Sequence, residues 1–268
     1  MEDNKLIITG SRDAEQFAKK YYLPKRVTSR ERYLSAVFNL LFGEKKGFPC
    51  FLSDNFFHHQ DVENIEAVRS MRRIQKSDLS LVVFDSHTDM YQLSKLTVEQ
   101  RQICFAQGAV NMANWILEMS RRGYDDVHLL GVSDFTRTCP ELEGEEYYRF
   151  QDRIHFFLGR GFESRLDFQG EGFERTKLNP LEAFSTQKLR PFSFISLDCD
   201  VSKELEADVS AGSFRGETKL QEVLGIIRAV QARSQVIGFS VYGAVQQYGL
   251  STSYGDREKE IAQVLGLF

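Results

Sequence analysis

Leu79-Ser-Leu-Val-Val-Phe84, which runs into Asp85-Ser-His87-Thr-Asp89, and Phe192-Ser-Phe-Ile-Ser-Leu197, which runs into Asp198-Cys-Asp200, decide how this chain folds. Each begins as a short apolar run without the alternation of a half-exposed strand, the pattern of a strand buried on both faces of a parallel sheet. Each then ends in acidic residues at alternate positions. Side chains two apart on extended backbone point the same way, so Asp85 and His87 can converge, as can Asp198 and Asp200. In a parallel sheet ligands bind beyond the carboxyl ends of the strands, where both acidic clusters fall.

Working outward, similar apolar runs occupy 5–9, 48–53, 127–132 and 236–242. Between them helical spacing predicts helices near 28–42, 61–76, 97–122, 141–159, 217–233 and 256–266. Strand alternating with helix specifies a βαβ sheet with helices on both faces. No repeat, low-complexity tract or Pro/Gly/Ser linker divides the 268 residues, so residues 1–268 read as a single domain. The stretch 133–190 is the least regular and reads as a solvated connection with one edge strand, ahead of an insertion that covers the site.

The bulk numbers narrow the function class. A net charge of −4 lacks the basic surplus of a nucleic-acid or anionic-membrane binder. The cysteines at 50, 104, 139 and 199 form no zinc spacing and fit reduced thiols in a cytoplasmic chain. The opening MEDNKLIITG is charged, unlike a secretory leader, and no apolar run approaches the ~18–20 residues of a membrane-spanning helix.

Four carboxylates and one imidazole at one sheet edge repel one another when bare, and a bound dication removes that cost. Oxygen-rich ligation with a single His favours manganese, ahead of iron, cobalt or zinc. Either acidic segment alone also reads as an Asp that starts a turn or caps a helix. Two of them on strands of one sheet favour the metal.

On these residues the chain resembles the arginase/agmatinase (ureohydrolase) superfamily. Asp85-Ser-His87-Thr-Asp89 is similar to its D-A-H-x-D motif, and Ser196-Leu-Asp198-Cys-Asp200 to its S-x-D-x-D motif. Gly216-Glu-Thr-Lys-Leu-Gln-Glu222 resembles the G-G-L-T-x-x-E run, and Gly238-Phe239 stands where the last strand's G-F-D lies. The likeness covers about residues 48–245. It implies a three-layer α/β/α sandwich around a mostly parallel sheet, two Mn²⁺ ions, and a homo-oligomer. By the same analogy Asp85 and Asp198 bridge the ions, His87 and Asp200 complete one, and Asp89 serves the other.

The departures are specific. Leu52-Ser53-Asp54-Asn55-Phe56 replaces G-G-D-H-S, so Asn55 occupies the place of a metal-binding His. His58 and His59 follow three and four residues later, and either can restore the imidazole or lie on a helix surface. Gln107-Gly108 stands where the family often has His-Gly, which makes Gln107 the occupant of the proton-shuttle position. Lys203-Glu204 replaces Asp-Pro. Gly243 stands where a Glu pairs with the substrate guanidinium, leaving Glu204, Glu206 and Asp208 as the nearest carboxylates that could serve instead. Trp115 reads as a core residue, while His128, on a strand, and His155, in a helix, read as packing or surface histidines.

The expected activity is metal-dependent hydrolysis of a guanidino or amidine C–N bond, with Asp89 taking the proton after attack. The substrate is a small molecule or a peptide-borne arginine, since a branch of arginase-like proteins that converts arginine to ornithine within peptides has similarly divergent motifs. Two rivals stand beside it: an amide hydrolase like the deacetylases that share this fold, and a catalytically inactive metal-binding relative.

Overall fold

In the computed structural model the described residues are 5–9, 26–29, 48–53, 55–90, 97–132, 154–158, 184–202, 204–205 and 218–243. Eight strands form one sheet: β1 Lys5–Thr9, β2 Arg26–Ser29, β3 Phe48–Ser53, β4 Leu79–Phe84, β5 Val127–Val132, β6 Ile154–Leu158, β7 Phe192–Asp198 and β8 Gln235–Tyr242. Their order is β2-β1-β3-β8-β7-β4-β5-β6, and every pairing is parallel. Four described helices, numbered here in chain order, accompany them: α1 Asp61–Arg72, α2 Val98–Gln107, α3 Trp115–Arg121 and α4 Leu220–Arg233.

The central strands β3, β4, β5, β7 and β8 are buried, and their side chains divide between two cores. Val82, Phe84, Ile195, Leu197, Phe239 and Val241 pack with Leu220, Val223, Leu224 and Ile227 of α4. Leu81, Val83, Val127, Leu129 and Ile237 pack with Val62, Ile65 and Val68 of α1 and Trp115, Ile116 and Met119 of α3. A sheet between two helical layers is the three-layer α/β/α architecture. Among the described residues no helix is long and apolar enough to cross a membrane.

Three elements differ from the sequence expectations. The helix expected over 141–159 gives way at Ile154–Leu158 to edge strand β6, so His155 is a strand residue paired in register with His128. The run Ile-His-Phe-Phe-Leu has the β-branched and aromatic content of a strand, and a neighbouring strand decides what so short a run becomes. The helix expected near 28–42 overlaps β2 at residues 28–29, and its remainder lies outside the described residues. The helix expected over 97–122 is two helices. Gly108, at φ 103°, ends α2, and α3 starts only at Trp115. Between them Asn114 Oδ1 accepts from Asn111 N at 2.9 Å and Asn111 Oδ1 from Ala113 N at 3.1 Å. Such side-chain-to-backbone bonds give the chain an alternative to helix. The expected helix over 256–266 lies outside the described residues.

All strands being parallel, their carboxyl ends share one edge. Ser53 pairs with Tyr242, Tyr242 with Asp198, and Phe84, just before Asp85, with Leu197. Ser53, Tyr242, Asp198 and Asp85 therefore form a row across the four neighbouring strands β3-β8-β7-β4. Gly131, at φ 89°, closes the adjoining end of β5. A Cβ there would lie 2.3 Å from Val201 Cγ2 and 2.9 Å from Thr218 Oγ1, so only glycine lets those segments approach the backbone beneath Asp85.

Candidate metal centre

Two groups of donors meet at this edge. His58, Asp85 and Asp198 form one and Asp85, His87 and Asp200 the other, with the ligand atoms of each group within 4.8 Å of one another. Asp85 belongs to both and divides its oxygens between them, whereas Asp198, expected by analogy as a second bridge, joins only the first. Its Oδ1 lies 3.4 Å from His87 Nδ1, its Oδ2 3.6 Å from His58 Nδ1. His87 Nδ1 is also 2.9 Å from Asp200 Oδ2, and His58 Nε2 is 2.8 Å from Asp198 Oδ2. Asp89 stands beside the first group, its Oδ2 3.3 Å from His58 Nδ1.

Local backbone geometry sets each side chain. Asp85 Oδ1 accepts from His87 N at 2.7 Å and Asp198 Oδ1 from Asp200 N at 3.1 Å, so each strand-end Asp folds the following turn back on itself. The two turns are tied together where Ser86 N donates to Asp200 Oδ1 at 3.1 Å. His58 comes from a 3₁₀ helix, Asn55–Gln60. Residues three apart eclipse on a 3₁₀ helix, so position 58 occupies the same face as position 55. His58 thus reaches the carboxylates, whereas His59 joins neither donor group. The Asn55 side chain lies outside the described residues.

A support lies behind His58. Its ring packs on the Tyr242 ring with centroids 4.6 Å apart. The Tyr242 hydroxyl donates to Asp61 Oδ1 at 2.6 Å, Ser240 Oγ donates to Asp61 Oδ2 at 2.7 Å, and Asn64 Nδ2 donates to Oδ1 at 3.1 Å. Burial pushes the Asp61 carboxyl up, and these hydrogen bonds pull it back. Trp115 Nε1, fully buried, donates to Asp89 Oδ2 at 2.5 Å. From the sequence Trp115 reads as a core residue. The available signal was that a buried indole N–H needs an acceptor.

The remaining candidates lie differently. Gln107 closes α2, and its Oε1 accepts from Met112 N at 2.9 Å. Glu204 is exposed, with its N–H on Ser202 Oγ. Gly243 is buried at φ 72°, its N–H donating to Ser53 O at 3.2 Å. Asp54, Lys203, Glu206 and Asp208 lie outside the described residues.

The donor set suits divalent ions. Asp85, Asp89, Asp198 and Asp200 are between 1% and 7% exposed, and among the described residues no lysine or arginine pairs with any of them. Buried carboxylates without a cation are costly, and protons take up the deficit. Burial first, then the charge of Asp85, pushes the Asp89 carboxyl up to about 7. Burial, then Asp200, pushes Asp198 up to about 8, partly offset by His58. Burial disfavours the His58 imidazolium, yet Asp198, Asp85 and Asp89 together hold its pKa well above the usual value. Asp85 is the exception: burial alone would raise it, but His58 and His87 hold it below the usual carboxylate range.

The linkage has a definite sign. With Asp89, Asp198 and His58 raised, the folded metal-free protein binds more protons than the unfolded chain between about pH 4 and 8. Metal-free protein should therefore lose stability as pH rises through that window. Asp85 acts in the opposite sense only below about pH 4. Metal displaces those protons, so Mn²⁺ should raise the melting temperature more at pH 8 than at pH 5. Calorimetry of stripped protein across this range checks it. A metal-free melting temperature that climbs from pH 5 to 8 would contradict the assigned electrostatics.

No protein-family model matches the sequence, and no curated protein matches it significantly. Solved structures do match. An arginase from Medicago truncatula superposes with a TM-score of 0.63 at 14% identity, over 98% of this chain and 85% of that one. The agmatine ureohydrolase of Thermoplasma volcanium gives 0.63 at 14% identity, over 100% and 89%. A Trypanosoma cruzi formiminoglutamase, solved with Mn²⁺, gives 0.59 at 15% identity, over 98% and 91%. The eight-stranded parallel sheet between two helical layers is thus the fold of the arginase/ureohydrolase superfamily.

Proposed function

We propose that the protein is a metal-dependent hydrolase of a guanidino or amidine C–N bond. The observation that carries this reading is the pair of donor groups that share Asp85 at the carboxyl edge of the sheet. Arginase, agmatine ureohydrolase and formiminoglutamase, on the same fold, lend it support. His58, Asp85 and Asp198, with Asp89 beside them, would hold one ion, and Asp85, His87 and Asp200 the other. Mn²⁺ is the proposed occupant of both, because carboxylate oxygens outnumber imidazoles. Divalent metal supplies, when bound, activation of water at neutral pH and stabilisation of charge at the attacked carbon.

The chain's own residues do the rest. Asp89 is placed to take up the proton that the attacking water sheds, its carboxyl oriented by Trp115 and His58. Gln107 has no titratable proton, so protonation of the leaving amine falls to Asp89 or solvent. The test is product release from arginine, agmatine, formiminoglutamate and an arginine-containing peptide, before and after chelation. Activity should vanish with chelator and return best with Mn²⁺, and kcat/KM should rise through about pH 7–9. Turnover indifferent to chelation would refute the proposal.

A further inference from the structure

We infer that Trp115 is a positioning residue of this centre, whose indole N–H holds Asp89 in the one orientation that presents its carboxylate to the donor cluster. The inference rests on the function proposed above. Asp89 follows a turn rather than a strand, and its backbone sits at φ 48°, a region sparsely populated by residues with side chains. Such a residue keeps its conformation only when its surroundings over-determine it. One determinant is the 2.5 Å bond from Trp115 Nε1 to Oδ2, the oxygen that also faces His58 at 3.3 Å.

The chemistry of the donor fits this task. An indole N–H donates and never accepts, so it occupies one lone pair of Oδ2 at any pH and leaves Oδ1 open. It is also neutral. A lysine or arginine in its place would hold the carboxylate equally well while opposing a divalent ion.

Trp115 is itself held on two sides. Its ring is fully buried in the core that contains Met90, Ile116 and Met119. The loop that delivers it is braced by amide side chains: Gln107 Oε1 accepts from Met112 N at 2.9 Å, Asn114 Oδ1 accepts from Asn111 N at 2.9 Å, and Asn114 Nδ2 donates to Ala109 O at 3.0 Å. Gln107, at the family's shuttle position, thereby contributes to building the loop that carries the support of Asp89.

Trp115 is the single tryptophan of the chain, so its indole N–H gives one isolated signal in a ¹H–¹⁵N spectrum of the whole protein. In metal-free protein that signal should lie downfield and exchange slowly. It should move upfield in Asp89→Asn, shift with diamagnetic Zn²⁺ and broaden with Mn²⁺. Trp115→Phe keeps an aromatic ring without the N–H, and Mn²⁺ binding by calorimetry should weaken about 10- to 100-fold, the usual effect of losing an outer-sphere partner. Ile116→Val, a core change one residue away, should leave Mn²⁺ affinity within about twofold.

A signal indifferent to Asp89→Asn or to Zn²⁺ overturns the inference, and these readings stand even if Trp115→Phe fails to fold. Trp115→Phe binding Mn²⁺ as tightly as the wild type also overturns it while leaving the proposed function intact. A wild type that takes up no Mn²⁺ overturns both.

Discussion

Asp85→Asn should strip the protein of both metal ions and reduce hydrolysis by more than a thousandfold, an effect no other single substitution at the edge should match. Each oxygen of Asp85 faces a different donor group, Oδ1 towards His87 and Oδ2 towards His58. An amide replaces one anionic oxygen with a donor and removes the charge that the two proposed ions would share. Loss of an outer-sphere partner alone costs 10- to 100-fold in affinity or activity, and a shared ligand must cost more. His87→Ala and Asp198→Asn each touch one group and should spare part of the metal. Asn55→Ala should retain nearly all of it, because His58 supplies the imidazole on that face. Metal content after equal dialysis decides the order. Equal loss in Asn55→Ala and Asp85→Asn would make Asn55 a ligand and the shared role of Asp85 wrong.

Burial alone would raise the Asp85 carboxyl, but His58 and His87 hold it below the usual carboxylate range, so the fold favours its charge. Metal-free Asp85→Asn should therefore be less stable than metal-free wild type at pH 8, so its metal content is read at a temperature where thermal melting shows both proteins folded.

The strands that build the edge were legible because burial on both faces writes itself as an uninterrupted apolar run, and β1, β3, β4, β5, β7 and β8 all carry one. Strands β2 and β6 escaped for physical reasons. Arg-Val-Thr-Ser is too short and polar to signal anything, and Ile154–Leu158 is a strand only because β5 offers it a partner. At the site, the alternate acids after β4 and β7 placed Asp85, His87, Asp198 and Asp200 at one edge of the sheet. His58 was harder. Whether it or His59 turns inward depends on 3₁₀ rather than α winding, which three residues of pattern cannot distinguish. Asp61 and Trp115 were invisible as site residues because one reads as a helix start and the other as core. Each is brought to the centre by tertiary contacts from residues far away in sequence, Ser240 and Tyr242 for Asp61, Asp89 for Trp115.

Free arginine and agmatine should be poor substrates, with kcat/KM about ten- to a hundredfold below that for an arginine within a larger molecule. A carboxylate paired with the guanidinium contributes a charge-assisted hydrogen bond of roughly 1.5–3 kcal/mol. Each 1.4 kcal/mol is tenfold in binding, which sets the expected range. Gly243 can make no such bond, and its geometry explains why no acid stands there. At φ 72° the chain leaves β8 in the left-handed region, with its N–H tied to Ser53 O. Gly243→Glu would meet a conformational cost of about 1–2 kcal/mol there, so it should not restore recognition of free arginine in full. Glu204 points to solvent and is no substitute within the described residues. A peptide gains affinity through contacts away from the guanidinium, so it tolerates the loss better. Steady-state kinetics on arginine, agmatine and an arginine-containing peptide decide the matter. A kcat/KM for free arginine near 10⁵ M⁻¹s⁻¹, on the order of an ordinary enzyme, would mean that another group binds the cation and that Gly243 is no handicap.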